Sequence, residues 1–518
     1  MTRNTDVSRI GPASPASPAF TWAVVVLMIL LAAWARFCFL GAPFKNDPGA
    51  FLAMGKCVAE GRQLYVDVWD NKFPGVTLLT TPLWVIFGTT WWPYVTATFL
   101  SAVASAFLLT RVPGVSRLAT FAIAIATMNV TRMLTSGFQL ETPITILTAS
   151  AALCTLRATR ADRRVFAWAL LAGLFAGMAA TFKPTGGAVA GACVCLCAYL
   201  AWRGEMRRAI QIALGGAAGL LVMLGVNLGW FTMLGVWPYL PEMMRELKAY
   251  ADGTPWSQVF SVTALGHLMC IVGPAIWLGA IALVKRSRVD ALPSDLARTS
   301  AVFAGCWLVI ELIGLVMQKR GYAYHMLPIA VPATILCGLL VARFRIDWKL
   351  VAVPIVILAA WSVFTSIEKW NRTLDPEYRW SRAIDYVVQT TGPDDTIFGD
   401  PMGEMVVMAD RKPGARLVQL IHFGNDHDAG RRFGDMVIND LEARQCTIVL
   451  LQHPAVLEKR KQAWEEQDIL SRDPSRRVPF RAAWDRFVGY VQEHYTLERS
   501  DLDYQVWRRK GKTPTTGR

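Results

Sequence analysis

Asp47 and Lys72 are the two side chains of this sequence whose types and placing best suit proton transfer and anion contact. They lie in the run Asn46 to Gly75, a charged loop that directly follows the first strongly apolar segment. A carboxylate takes a proton from a hydroxyl, and an ammonium meets an anion such as phosphate. Asp47 precedes Pro48 and an apolar helical pattern (Phe51, Leu52, Met54, Cys57, Val58), so it also fits the start of a short amphipathic helix with proline at its first position. The two readings are compatible, because a helix start orients a carboxylate. Lys72 also fits a lysine snorkelling to headgroups. Pro74 and Gly75 behind it hold the backbone in a rigid turn, which suits a fixed phosphate contact.

Further polar residues sit at the ends of apolar segments: Glu141, Lys183, Lys319, Arg320 and His325. Charges at a membrane boundary are costly and by default face a working cavity. Each has a plainer reading beside it. Glu141 also fits a helix cap, Lys183-Pro184 a turn, and Tyr322, Tyr324 and His325 an interfacial aromatic belt. A histidine beside Lys319 and Arg320 nevertheless makes an anion site. Glu311 lies within an apolar segment and receives no role. His422, Asp426, His427 and Asp428 have ligand chemistry in a Gly/Asn-rich loop, a pattern that more often marks a solvated turn than a metal site. Cys193, Cys195 and Cys197 lack a neighbouring His or acid and read as small hydrophobes.

The elements that position these groups follow from composition. The chain has 518 residues, 53% hydrophobic and 18% charged, with mean hydropathy +0.34. A soluble globule carries about a quarter charged residues, so this is an integral membrane protein. Its net charge of +14 comes largely from arginines in short loops, without a contiguous polar face for nucleic acid. Spans are expected near 20–40, 92–110, 117–134, 142–157, 165–182, 185–202, 209–235, 262–284, 299–318, 326–342 and 349–367, about eleven in all. Residues 76–88 contain Pro82 and Gly88 and read as a re-entrant or interfacial helix. The basic clusters fall on one side of that count, which the positive-inside rule makes cytoplasmic together with the N-terminal tail 1–19. The N-terminal apolar run reads as a signal anchor, since it ends in Arg36-Phe37-Cys38 rather than a cleavage site. The expected class is a polytopic α-helical membrane protein. A transmembrane domain 20–368, with its first external loop 41–75, precedes an extracytoplasmic α/β domain 369–510 and a disordered tail 511–518. Runs such as Thr396-Ile397-Phe398 and Thr447 to Leu451 carry the strands.

Four stretches together resemble the GT-C glycosyltransferases of the membrane. They are Asn46-Asp47-Pro48-Gly49 with Gly61 to Pro74, Gly137 to Glu141, Gly173 to Lys183, and Gly321 to Pro328. The resemblance is to the bacterial branch of protein O-mannosyltransferase-like, lipid A aminoarabinose transferase-like and rhizobial lipopolysaccharide transferase-like proteins. The first stretch is the most specific, with its Gly-x-x-x-Tyr-x-Asp-x-Trp-Asp-x-Lys-x-Pro run. The resemblance implies a polyprenyl-phosphate sugar donor, a lipid, polysaccharide or protein acceptor of the cell envelope, and inversion at the anomeric carbon in a bacterial inner membrane. Asp47 is then the general base. Lys72, Lys183, Arg320 and His325 are donor-phosphate contacts, and Glu141, Tyr65 and Tyr324 are substrate contacts. Many relatives have Asp-Glu at the first-loop acid. Here Pro48 follows Asp47, which removes a paired carboxylate for a divalent metal, so strict metal dependence is not expected; a divalent metal stays open without support from the sequence, and no other cofactor is implied. A transporter or flippase of a lipid-linked sugar is the alternative. Transporters tend to hold charges at the midplane and to show internal repeats, whereas here charges crowd one face and no repeat is evident.

Overall fold

The computed structural model describes residues 17–37, 47–90, 92–130, 139–161, 163–252, 260–285, 295–319, 323–374, 381–399, 402–417, 427–452, 474–500 and 504–514. Helices dominate the first 374 residues, because a backbone in lipid must satisfy its own hydrogen bonds. In chain order they begin with α1 (Pro18–Phe37), α2 (Asp47–Ala59), α3 (Thr77–Phe87), α4 (Trp92–Leu109), α5 (Arg117–Val130), α6 (Glu141–Ala158) and α7 (Val165–Phe182). There follow α8 (Ala188–Trp202), α9 (Met206–Met233), α10 (Leu240–Asp252), α11 (Val262–Lys285), α12 (Asp295–Gln318), α13 (Ala330–Phe344) and α14 (Trp348–Leu374).

Among the described residues, nine helical stretches are long and apolar enough to cross a membrane: α1, α4, α7, α9, α11, α12 and α14, together with α8 and α13 when each is joined to the 3-10 turn before it. The expected spans at 117–134 and 142–157 are helices too, but they fall outside that set. α5 is described only to Val130, and α6 carries buried Thr142, Thr145, Thr148 and Thr155, which lower its hydropathy. The stretch 76–88 forms the eleven-residue α3, too short to span, and stops at Gly88, whose φ of 52° suits a residue without Cβ.

Helix contacts in the bundle rest on small residues. Gly173 of α7 lies against Gly216 and Gly219 of α9, Gly215 of α9 against Phe166 and Ala169, and Gly177 against Met223, and small residues at such crossings let backbones close up in lipid. A Cβ on Gly173 would stand 2.1 Å from the Gly216 carbonyl oxygen, and one on Gly219 2.3 Å from that of Leu170. Gly173→Val should therefore cost about 1–3 kcal/mol by overpacking, or more where the backbones cannot part. Thermal unfolding of the detergent-solubilised protein reads this as a lowered midpoint.

One expectation is corrected. α2 is not an amphipathic surface helix, since ten of its thirteen residues, Pro48 to Cys57, are buried. One side packs on α3, where a Cβ on Gly55 would meet the Thr80 backbone at 2.6 Å. Another side is covered by the C-terminal α/β unit, so even Lys56 is buried. Its ammonium pairs with Glu60 and Asp410 and lies 4.9 Å from the Trp84 ring centroid.

That unit begins after α14, which runs to Leu374, six residues past the expected boundary. It comprises α15 (Ser381–Thr390), β1 (Thr396–Gly399), α16 (Met402–Ala409), β2 (Lys412–Pro413), α17 (His427–Ala443), β3 (Ile448–Gln452), the helix Pro474–His494, β4 (Tyr495–Arg499) and β5 (Tyr504–Arg509). The strand order is β2-β1-β3-β5-β4. β1 pairs in parallel with β2 and β3 (Ile397 opposite Ile448), and β5 runs antiparallel to β3 and β4. Ile397, Phe398, Ile448, Val449 and Leu450 are fully buried, with Phe433 and Phe487 from the flanking helices. This core is continuous with the buried face of α2 and with Leu64, Tyr65, Val68 and Trp69.

Candidate active site

The loop that follows α2 is built around Tyr65. Its backbone is left-handed at φ 67°, a strained choice for a residue with a side chain. The aromatic ring is buried, and the hydroxyl donates to the Lys72 carbonyl over 2.6 Å. Burial first, and the Asp70 carboxylate second, push that hydroxyl well above the usual phenol range, so it stays protonated and donating. Tyr65 thus supports the backbone that carries Lys72. Beyond Lys72, Pro74–Val76 forms a 3-10 turn jammed against α7, where a Cβ on Gly75 would stand 2.2 Å from the Thr181 carbonyl oxygen.

This scaffold brings Lys72 to Asp47 at the start of α2. The Lys72 Nζ lies 3.6 Å from Asp47 Oδ1, an ion-pair rather than a hydrogen-bond distance. The same ammonium is 3.3 Å from Asp70 Oδ1 and 3.2 Å from Asn71 Oδ1. Asp70 is completely buried, whereas the Asp47 and Lys72 side chains remain 18% and 28% exposed, open to a reactant.

A second ion pair stands beside the first. Lys183 caps α7 in extended backbone, ahead of the 3-10 turn Pro184–Gly187, and its Nζ reaches Glu141 Oε1, at the start of α6, over 2.6 Å. Glu141 is 3% exposed, and Lys183 21%. Tyr324 joins the two pairs. Its hydroxyl donates to Asp47 Oδ2 over 3.1 Å, and its ring centroid lies 5.9 Å from the Lys183 ammonium. Tyr324 sits in the 3-10 segment Ala323–Ile329 that leads into α13, with the His325 ring edge-on at 4.4 Å. His325 Nδ1 is 3.0 Å from Gln318 Oε1 at the end of α12. Glu311, about two turns deeper in α12, accepts from Trp307 Nε1 over 2.9 Å and lies within electrostatic range of Lys183.

Of the residues singled out in the sequence, Asp47, Lys72, Lys183, Glu141 and Tyr324 form one contiguous constellation, with His325 at its edge and Tyr65 behind it. Arg320 lies outside the described residues, as do His422 and Asp426. The sequence reading missed Asp70, Asn71 and Gln318 as partners of Lys72 and His325. The Trp69-Asp70-Asn71-Lys72 spacing held a signal for the first two, since residues adjacent to a lysine in a tight loop have little choice but to contact it. Among the described residues, no group of three or more His, Cys, Asp or Glu side chains is placed to hold a metal ion. The arrangement offers a proton acceptor and two cations at one membrane-proximal face.

The fold is that of two solved structures, ArnT and the archaeal oligosaccharyltransferase AglB. ArnT from Cupriavidus metallidurans bound to undecaprenyl phosphate superposes with a TM-score of 0.57 at 13% identity, covering 95% of this chain and 99% of that one. The apo state of the same protein gives 0.54 at 14% identity over 85% and 95%. The oligosaccharyltransferase AglB from Archaeoglobus fulgidus, in complex with an inhibitory peptide and a dolichol-phosphate, gives 0.52 at 13% identity over 83% of this chain and 69% of that one. No protein-family model and no curated protein sequence matches the chain.

Proposed function

We propose that this protein is an inverting glycosyltransferase that moves a sugar from a polyprenyl-phosphate donor to an acceptor hydroxyl on the outer face of a bacterial inner membrane. The observation that carries this reading is the contact of Asp47 with both Lys72 and Tyr324, beside the Lys183–Glu141 pair. Asp47 takes the proton from the acceptor hydroxyl, and that oxygen attacks the anomeric carbon from the face opposite the phosphate. The bond from the anomeric carbon to the phosphate oxygen breaks, and its electrons stay on the phosphate. Lys72 and Lys183 meet the charge that develops there, with Arg320 and His325 as further donor contacts. Glu141 and Tyr324 shape the substrate side, whereas the buried Tyr65, expected from the sequence to contact substrate, supports Lys72 from behind. The likeness to an ArnT bound to undecaprenyl phosphate and an AglB in complex with a dolichol-phosphate supports a lipid-linked donor.

With α5 and α6 counted as spans the total is eleven, so in this reading the N-terminus and the α/β unit lie on opposite sides, the N-terminus in the cytoplasm and the α/β unit outside with the site. The basic loops agree with that orientation. Purified protein in detergent, given radiolabelled polyprenyl-phosphate sugar and an envelope-lipid, glycan or protein fraction, should transfer label without any membrane gradient. Translocation of the donor across vesicles, with no label transferred in detergent, would instead make the protein a flippase.

A further inference from the structure

The C-terminal α/β unit bears on both arms of the site through backbone contacts. On the first arm, α16 lies so close to α2 that a Cβ on Gly403 would stand 2.8 Å from the backbone N and Cα of Ala50, three residues from Asp47. On the second arm, the Trp69 amide donates to the Arg416 carbonyl, Trp69 forms a parallel bridge with Leu417, and its ring lies 4.8 Å from that of Phe433. Arg444, just after α17, completes the second contact. Its Nη1 donates to the carbonyls of Asp67 and Pro413, each over 3.2 Å, and its Nη2 to the carbonyl of Val66 over 3.3 Å. The same Nη2 is 3.6 Å from Asp67 Oδ1.

These contacts fall on a segment held by no helix and by isolated bridges alone, Leu64 with Val68 and Trp69 with Leu417. Residues 65–69 contain a left-handed Tyr65 and turn the chain toward Lys72; the Val68 carbonyl accepts from the Tyr65 amide inside the turn, while those of Val66 and Asp67 take their donors from Arg444. A guanidinium supplies several donors in a fixed fork, which a lysine cannot match. A strained loop keeps its shape only when its surroundings over-determine it. Here the Tyr65 hydroxyl does so from within and Arg444 from outside.

We propose that Arg444 is a positioning residue for Lys72, and that the α/β unit, through Arg444 and α16, sets the separation of Lys72 from Asp47. The consequence for turnover rests on the glycosyltransferase reading, while the consequence for the loop does not. The full-length Arg444→Ala and Arg444→Lys variants test both, by hydrogen–deuterium exchange and by transfer kinetics. In Arg444→Ala, amides of residues 64–72 should exchange about tenfold faster, while those of α7, α9 and the β3–β5 pair keep their rates. A displacement of about 1 Å costs up to about 10²-fold, so kcat should fall about 10- to 100-fold, with the acceptor KM within about twofold of the parent. Arg444→Lys, which retains the charge toward Asp67 but not the fork, should fall between the two and serves if the alanine variant does not fold. Unchanged exchange over 64–72 overturns the proposal, as does a loss of activity that only tracks the folded fraction. If the parent protein transfers no sugar, the glycosyltransferase reading falls and the exchange data still decide the role of Arg444.

Discussion

Asp47→Asn is expected to lower turnover by about 10²- to 10⁴-fold, the usual share of a positioned base, while expression and donor binding stay at parental levels. The substitution is close to isosteric. The amide oxygen still accepts from the Tyr324 hydroxyl, now 3.1 Å from Asp47 Oδ2, and α2 can still begin at this position. Lys72 keeps its contacts to Asp70 and Asn71, so the cation proposed to face the donor phosphate is not set adrift. What is lost is the group that can accept a proton, because an amide is not protonated near neutral pH. The measurement is sugar transfer in reconstituted vesicles at saturating donor, with donor retention measured alongside. Near-normal turnover would rule out the base role. Loss of donor retention would shift Asp47 to donor binding through Lys72.

The sequence exposed those features that depend on local chemistry. Strand runs such as Thr396 to Phe398 are rich in β-formers, and nine of the eleven apolar windows match membrane-length helices within a few residues. Asp47 and Lys72 stood out because a charged loop against a membrane demands an account. Charge alternation between loops placed Glu141, Lys183 and His325 on one face, but the bond between Glu141 and Lys183 depends on α6 lying beside the end of α7, a lateral order that hydropathy does not encode. The contact between Tyr324 and Asp47 joins residues 277 positions apart, which no periodicity announces. The burial of α2 was misjudged for the same reason. A helix with one apolar stripe reads as amphipathic until a covering layer is known, and here that layer contains Gly403, about 350 residues downstream of Ala50.

Lys72→Ala should reduce kcat with the polyprenyl-phosphate donor by about 10²-fold or more, the size of effect seen when a preorganised charge partner is removed, which is close to 3 kcal/mol of transition-state stabilisation. The donor KM should rise and the acceptor KM should stay near its parental value, since the ammonium faces a developing phosphate charge rather than the attacking oxygen. Lys72 also separates two carboxylates, standing 3.6 Å from Asp47 and 3.3 Å from Asp70. Removing it leaves the buried Asp70 without that cation, so some loss of stability accompanies the kinetic effect. Thermal unfolding in detergent separates the two. A kinetic loss much larger than the folded fraction explains belongs to the phosphate contact. Lys72→Arg keeps the charge but presents a planar fork to a loop tied by the Tyr65 hydroxyl at the Lys72 carbonyl. Partial donor use is therefore expected from arginine and almost none from alanine. A rise in acceptor KM with donor KM unchanged would place Lys72 on the acceptor side and leave Lys183, paired with Glu141 and lying against Tyr324, as the principal cation for the leaving phosphate.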